Sequence, residues 1–389
     1  MFDILKRKYR EAQLPRACRD ALARDKRGLP SEDPELDHYV LAAVEWICRA
    51  QDYSASGDGG VAHNYSLLKG WGTSYPETTG YIIPTMLAYS RAYKDSTLVP
   101  RARRMLDWLV SIQFADGAFQ GGRIGRTPVV PVTFVTGQIL LGLVDGVRFF
   151  GQVYYPPMLR TAQWLRDTID TDGCWRNGRS PFARGGVATY ETHAAWGLLE
   201  AARLVPSEGL AEAALCNIHW TMNHQKENGW FSNCCVDDPA KPLTHTLGYA
   251  LRGVIEAYRF SFEEQLLCSA RKTADGLLHA LSPDGFLPGR IRSDWSGASK
   301  WACLTGTAQV SICWLLLHQL TGDAKYREAG FLANRYVRRT VDLESNPNRR
   351  GGVQGAFPIN GDFHPYEYPN WATKFFLDAL LIERELRIQ

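Results

Sequence analysis

Two glutamates stand where apolar helical runs begin, and their type suits proton transfer. Glu77 lies in Ser74-Tyr75-Pro76-Glu77-Thr78-Thr79-Gly80-Tyr81, and Glu191 lies in Tyr190-Glu191-Thr192-His193. Two carboxyls facing each other over a cleft are what glycosidic hydrolysis needs, one as acid and one as base or nucleophile. Asp294, between Arg292 and Trp295, is a third carboxyl in reserve. For Glu77 the competing reading is a cap acid in the first turn of its helix. Tyr190 and His193 are three apart and share a helix face, while His245 opens another run in Thr244-His245-Thr246. These residues support a second chemistry. In a uronate lyase or epimerase a cation neutralises the sugar carboxylate, and a Tyr or His removes the proton beside it. Arg184, Asn370, Tyr190, His193 and His245 fit those roles.

Basic side chains recur in the segments that precede these helix starts. They are Arg123 and Arg126, then Arg176, Arg179 and Arg184, then Lys241, then Arg290, Arg292 and Lys300, then Arg349 and Arg350. Acidic residues there are few: Asp237, Asp238 and Asp294. A cup lined this way would take a ligand bearing carboxylate, sulfate or phosphate. The same segments are aromatic, with Trp71, Trp295, Trp301, Tyr366 and Tyr368 as candidates to lie against sugar faces. Trp175, Trp230 and Phe286 occupy equivalent repeat positions and read as plugs between helices. Asn370 and Lys374, from Tyr368-Pro369-Asn370-Trp371, complete the candidate binding set.

The elements that must position these groups follow from a repeat. Asp58-Gly59, Asp116-Gly117, Asp172-Gly173, Asn228-Gly229 and Asp284-Gly285 are turn signals 58, 56, 56 and 56 residues apart, and a sixth reads Gly352-Val353-Gln354-Gly355-Ala356-Phe357. A fixed period means one supersecondary unit was copied. Before each turn lies an amphipathic helix, such as Arg101 to Gln113 with Met105, Leu106, Leu109 and Ile112 on one face. After it comes a loop and a nearly all-apolar helix, such as Thr133 to Phe150. Half-polar helices outside and apolar helices inside predict two concentric layers. The inner helices are expected to begin near Glu77, Thr133, Tyr190, Thr244, Cys303 and Asn370. Six such hairpins predict an all-α (α/α)6 toroid over 38–389, preceded by a basic helix or arm over 1–37; an open α-solenoid is the alternative. Inner helices running one way would gather their N-termini around one mouth, whose free N–H groups favour an anion.

Bulk properties limit the partners. Of 389 residues, 44 are Lys or Arg and 41 Asp or Glu, a formal charge of +3 that gives no basis for nucleic-acid binding. The nine cysteines are scattered, with no metal-finger spacing, and are expected to be reduced thiols. No metal or cofactor set is evident. No apolar run is expected to be long enough for a signal peptide or a membrane span, so a cytoplasmic location is expected.

Gln113-Phe114-Ala115-Asp116-Gly117-Ala118-Phe119 and Gln225-Lys226-Glu227-Asn228-Gly229-Trp230 resemble the repeat motif of squalene-type cyclases and prenyltransferase β subunits, within the six-hairpin toroid superfamily. The cyclase acidic motif, the prenyltransferase zinc set and the lanthionine-cyclase Cys-His pair have no counterpart here. The stretches around Glu77, Pro242 to Thr246 and Tyr368 to Phe376 are more similar in style to bacterial polysaccharide-associated glycosidases, lyases and glucuronyl epimerases. That resemblance implies a carbohydrate-active enzyme, foremost a glycoside hydrolase with an anionic oligosaccharide or polysaccharide as partner. A uronate lyase or C5-epimerase, an isoprenoid-type cyclase and a non-catalytic binder stay open as alternatives.

Overall fold

Each turn is built by its own side chains. The carboxylate or amide oxygen of Asp58, Asp116, Asp172, Asn228 and Asp284 accepts from the backbone N–H two residues on, at 3.1 to 3.2 Å. This bond closes a local turn and stops the preceding helix. The glycine between must take positive φ, +98° at Gly117. A Cβ there would collide with the carbonyl of Arg160, on the next outer helix. Glycine is therefore required twice over, for its backbone angle and for close approach. The sixth such glycine is Gly351 (φ +81°), one residue before the predicted motif, and Arg350 stands at the Asp position.

The computed structural model describes residues 11, 13–33, 35–184, 186–344 and 346–388. Helix α1 (Arg16–Lys26) leads into six pairs: α2 (Leu36–Asp52) and α3 (Pro76–Tyr93), α4 (Val99–Ile112) and α5 (Thr133–Phe150), α6 (Tyr155–Thr168) and α7 (Thr192–Ala202), α8 (Leu210–Met222) and α9 (Thr244–Ser261), α10 (Glu264–Ala280) and α11 (Leu304–Thr321), α12 (Ala324–Arg338) and α13 (Asn370–Ile388). The second of each pair is the inner helix. Every inner helix packs on the next, and α13 packs on α3 and α2, so the ring is shut. An open solenoid is excluded.

Local pairing fastens the seam. Strand β1 (Asn64–Ser66) forms a hairpin with β2 (Gly70–Trp71), while β3 (Ala302–Cys303) pairs with β4 (Ala356–Phe357). Strand β5 (Glu367–Pro369) pairs antiparallel with β1, Tyr65 opposite Tyr368. The Trp46 indole N–H donates to Asn348 O at 3.0 Å, and Gly351 lies against Ala42 of α2. Asp25 of α1 accepts from Gln354 and from the Ile359 N–H, both at 2.8 Å, so α1 is tied to the last long loop. Lys6, Arg7, Lys8 and Arg10, which make the expected arm over 1–37 basic, lie outside the described residues.

One expectation needs correction. Helix α5 is 18 residues long with a hydropathy of 1.3, long and apolar enough to cross a membrane by composition. Its window is 72% buried against neighbouring helices, as an inner barrel helix must be. All nine cysteines are unpaired.

Candidate active site in the toroid mouth

The first turns of α3, α5, α9 and α13, with the 3-10 turn Thr189–Glu191 before α7, converge on one cup of about 330 Å³. Glu77, Phe134, Glu191, His245 and Trp371 line it from those helix starts. Loops add His63, Tyr75, Trp175, Phe182, Phe363 and His364, and the rim carries Arg126 and Arg179. Tyr249, one turn below His245, forms part of the wall. The volume is at the small end of the roughly 300–1,000 Å³ usual for small-molecule sites.

Burial dominates the electrostatics. Removal from water pushes Glu77 up to about 7, although a 2.6 Å hydrogen bond from the Tyr75 hydroxyl pulls it down. Glu191 is pushed up to about 8, first by burial and then by the charge of Glu77, against the pull of Arg179. Each carboxyl thus sits close enough to neutrality to give or take a proton near pH 7. Burial drives His63 and His245 down to about 3, so both imidazoles are neutral. The Nδ1 atoms of His63 and His245 and Oε2 of Glu191 are buried without a partner among the described residues. Tyr190 is held well above its ordinary value by burial and by Glu191.

Aromatic rings fix the histidines. His63 lies 5.0 Å from the Tyr75 ring and 4.9 Å from Trp371, and His245 lies 4.9 Å from Phe363. His364 Nδ1 meets Glu367 Oε2 at 2.9 Å. The Arg126 guanidinium lies 3.9 Å over Phe182, which orients it at the rim.

The structure brings Glu77, Glu191, Tyr190, His245, Arg126 and Arg179 to this cup and leaves the other predicted residues outside it. His193 is 2% exposed behind Phe134 and Tyr249, its Nδ1 against Gln138 Oε1 at 2.6 Å. His193 is the second residue of α7, three beyond Tyr190, and the passage from the 3-10 turn into the helix carries it below the floor. Asp294 is exposed and accepts from the Ser296 N–H and hydroxyl in a surface turn. Trp295 packs on Trp230 and fills the space beside Gly276, a structural role. Trp71 stacks among Trp46, Tyr53 and Tyr65 on an outer face. Trp301 packs against Gly289 and Gly361. Tyr366 and Tyr368 belong to the seam, Tyr368 being 1% exposed. Asn370 donates to Ala62 O at 2.8 Å, and Lys374, one turn into α13, pairs with Asp378 at 2.7 Å in the separate cavity below the cup.

The expected cationic rim is also narrower. Arg290 pairs with Asp237, Arg176 with Asp170 and Asp172, Lys241 with Asp238, and Arg350 with Glu45. Arg292 donates to Gly297 O, while Arg184 and Lys300 are exposed away from the cup lining. Acids of these loops, of the preceding turns and of α2 neutralise much of the excess that a count of arginines suggests.

Sequence reasoning missed His63, Phe134, Tyr249, Phe363 and His364. Tyr249 was within reach, since a position four after His245 lies on the same helix face. His63 was not. It joins Trp371 and His364 only because β1 pairs with β5, some 300 residues apart in sequence.

No protein-family model matches the chain, and no curated protein matches it in sequence. Solved structures do. An unsaturated glucuronyl hydrolase specific for heparin superposes with a TM-score of 0.72 at 16% identity, over 91% of this chain and 98% of that one. A cellobiose 2-epimerase from Bacillus thermoamylovorans B4167 gives 0.71 at 11%, over 90% and 99%. An unsaturated glucuronyl hydrolase from Bacillus sp. GL1, responsible for glycosaminoglycan degradation, gives 0.69 at 12%, over 89% and 96%. These structures share the (α/α)6 toroid fold described above.

Proposed function

We propose that the protein is a glycoside hydrolase that takes the end of an anionic glycan into the mouth of the toroid. One observation carries this reading: Glu77 and Glu191 enter the same cup from different hairpins, both poised near neutrality. Such a pair supplies a proton to a departing glycosidic oxygen and takes one from the attacking water. Arg126 and Arg179 at the rim suit a carboxylate or sulfate on the sugar. Tyr75 and Trp371 provide flat faces for the ring. A small enclosed cup fits a chain end better than the middle of a polymer. The resemblance in fold to glucuronyl hydrolases agrees with a uronate at that end. Nine unpaired thiols fit a reducing, cytoplasmic setting.

Elimination by a tyrosine base is disfavoured, because burial raises Tyr190 and Tyr75 and a base needs the opposite. Epimerisation is the second reading. The unpartnered Nδ1 atoms of His63 and His245 favour it, as does the fold resemblance to a 2-epimerase. Imidazoles held at about 3 take up protons poorly at neutral pH, so the carboxyl pair is the better proton-transfer device.

Product analysis on saturated and unsaturated uronate-terminated oligosaccharides tests the choice. Hydrolysis gives new reducing ends, and Glu77→Gln abolishes them. Deuterium uptake from heavy water into the sugar, with no new reducing end, would establish epimerisation instead.

A further inference from the structure

The two carboxyls of the cup differ in their hydrogen bonding. Glu77 Oε2 accepts from the Tyr75 hydroxyl at 2.6 Å. Glu191 Oε2 is buried and has no hydrogen-bond partner among the described residues. Tyr75 itself is held well above its ordinary value by burial and by Glu77, so it keeps its proton and acts as a donor. A neighbour that donates stabilises the carboxylate over the neutral acid. A carboxyl with a buried oxygen and no donor favours the protonated form.

Other charges do not erase this difference. His63 and His245 are neutral near pH 7. Tyr249, on α9, is raised by burial and by Glu77 and stays protonated. His364 is engaged by Glu367. Arg126 and Arg179 stand at the rim, and the pull of Arg179 on Glu191 is outweighed by burial and by the charge of Glu77.

We propose that Tyr75 is the positioning residue that divides the labour of the pair, holding Glu77 as the carboxylate and leaving Glu191 as the acid. This rests on the reading of the pair as hydrolytic machinery. In the step that follows, Glu191 gives its proton to the glycosidic oxygen as the bond from that oxygen to the anomeric carbon breaks. Water's oxygen bonds to the anomeric carbon, and water's proton passes to Glu77. Exchange with solvent returns a proton to Glu191 and frees Glu77 for the next turnover.

The assignment is testable without any substrate. Infrared titration of the free protein reads the C=O stretch of protonated carboxyls, and Glu77→Gln and Glu191→Gln assign the two bands. Glu77 is expected to ionise first in the native protein. Tyr75→Phe keeps the ring packed on His63 and Trp371 and should move the Glu77 band up by about one pH unit. In Glu77→Gln the Glu191 band should move down, because its like-charged neighbour is gone. With a turned-over substrate, the acidic limb of kcat/KM in Tyr75→Phe should rise by the same amount. A merely structural tyrosine would lower the rate at every pH and leave that limb in place. The proposal is overturned if Glu191 ionises first, or if the Glu77 band in Tyr75→Phe stays where it was. Because the infrared result needs no sugar, an error in the substrate class cannot be mistaken for an error in the division of roles.

Discussion

Below the cup, along the inner helices toward the base of the barrel, several charged side chains come in pairs. Lys374 meets Asp378 at 2.7 Å, Arg252 meets Glu256 at 2.7 Å, and Arg148 meets Glu200 at 2.6 Å. At the mouth, where the same helices begin, among the described residues Glu77 has one hydrogen-bonding neighbour, and Glu191 Oε2, His63 Nδ1 and His245 Nδ1 have none. The base holds the larger cavity, about 610 Å³, and the mouth the smaller, about 330 Å³. Size therefore does not mark the chemistry. Leaving an ionisable group buried and unpaired costs stability, and a fold keeps such groups where it uses them. The base shows that this scaffold can pair its charges, which makes the unpaired mouth informative.

Breaking the mouth should have the largest effect. Glu191→Gln is expected to lower kcat by about 10²–10⁴-fold. Its Tm should hold or rise, since a costly carboxyl is gone; a calorimetric loss would instead mark Glu191 as structural. The base should respond in the opposite way. Asp378→Leu strands Lys374, which is 6% exposed, and should cost about 2–4 kcal/mol while sparing turnover of folded protein. Adding Lys374→Met should recover most of that loss, and a double-mutant cycle by denaturant titration measures the coupling.

Titration sharpens the contrast further. Glu77 and Glu191 ionise at about 7 and about 8 when folded, above the ordinary carboxyl value near 4.5. The folded protein binds more protons across that interval, so their contribution is full below about 4.5 and is lost as pH rises through about 8. His63 and His245 lie at about 3, below their ordinary 6.5, so their contribution is lost as pH falls from 6.5 through 3. The Tm advantage of Glu191→Gln over the native protein should grow from about pH 5 to about pH 9. A constant difference would contradict the assigned shift.

At the rim, Arg126→Ala with Arg179→Ala should raise KM for a uronate-terminated substrate by about tenfold, or about 1.4 kcal/mol, with little change for a neutral analogue. Equal losses for both substrates would point to rim folding rather than charge recognition. Smallest of all, Asp294→Asn should stay within about 0.5 kcal/mol of native stability and leave turnover alone, as befits a surface turn.

The sequence alone determined the architecture. Turn chemistry and helical periodicity are local properties, so Asp58-Gly59 and its copies gave the number of hairpins, and the inner-helix starts lie within about two residues of expectation. The same local order put Glu77, Glu191 and His245 near one mouth. Tertiary structure alone decided which neighbours they have. The seam between β1 and β5 brought in His63 and His364, ion pairs removed Arg290 and Arg176 from the rim, and helix rotation sent His193 below the floor and Lys374 into the separate cavity below the cup. Periodicity fixes where a helix starts, but burial and pairing arise from contacts between distant segments, and those set the charge a side chain carries.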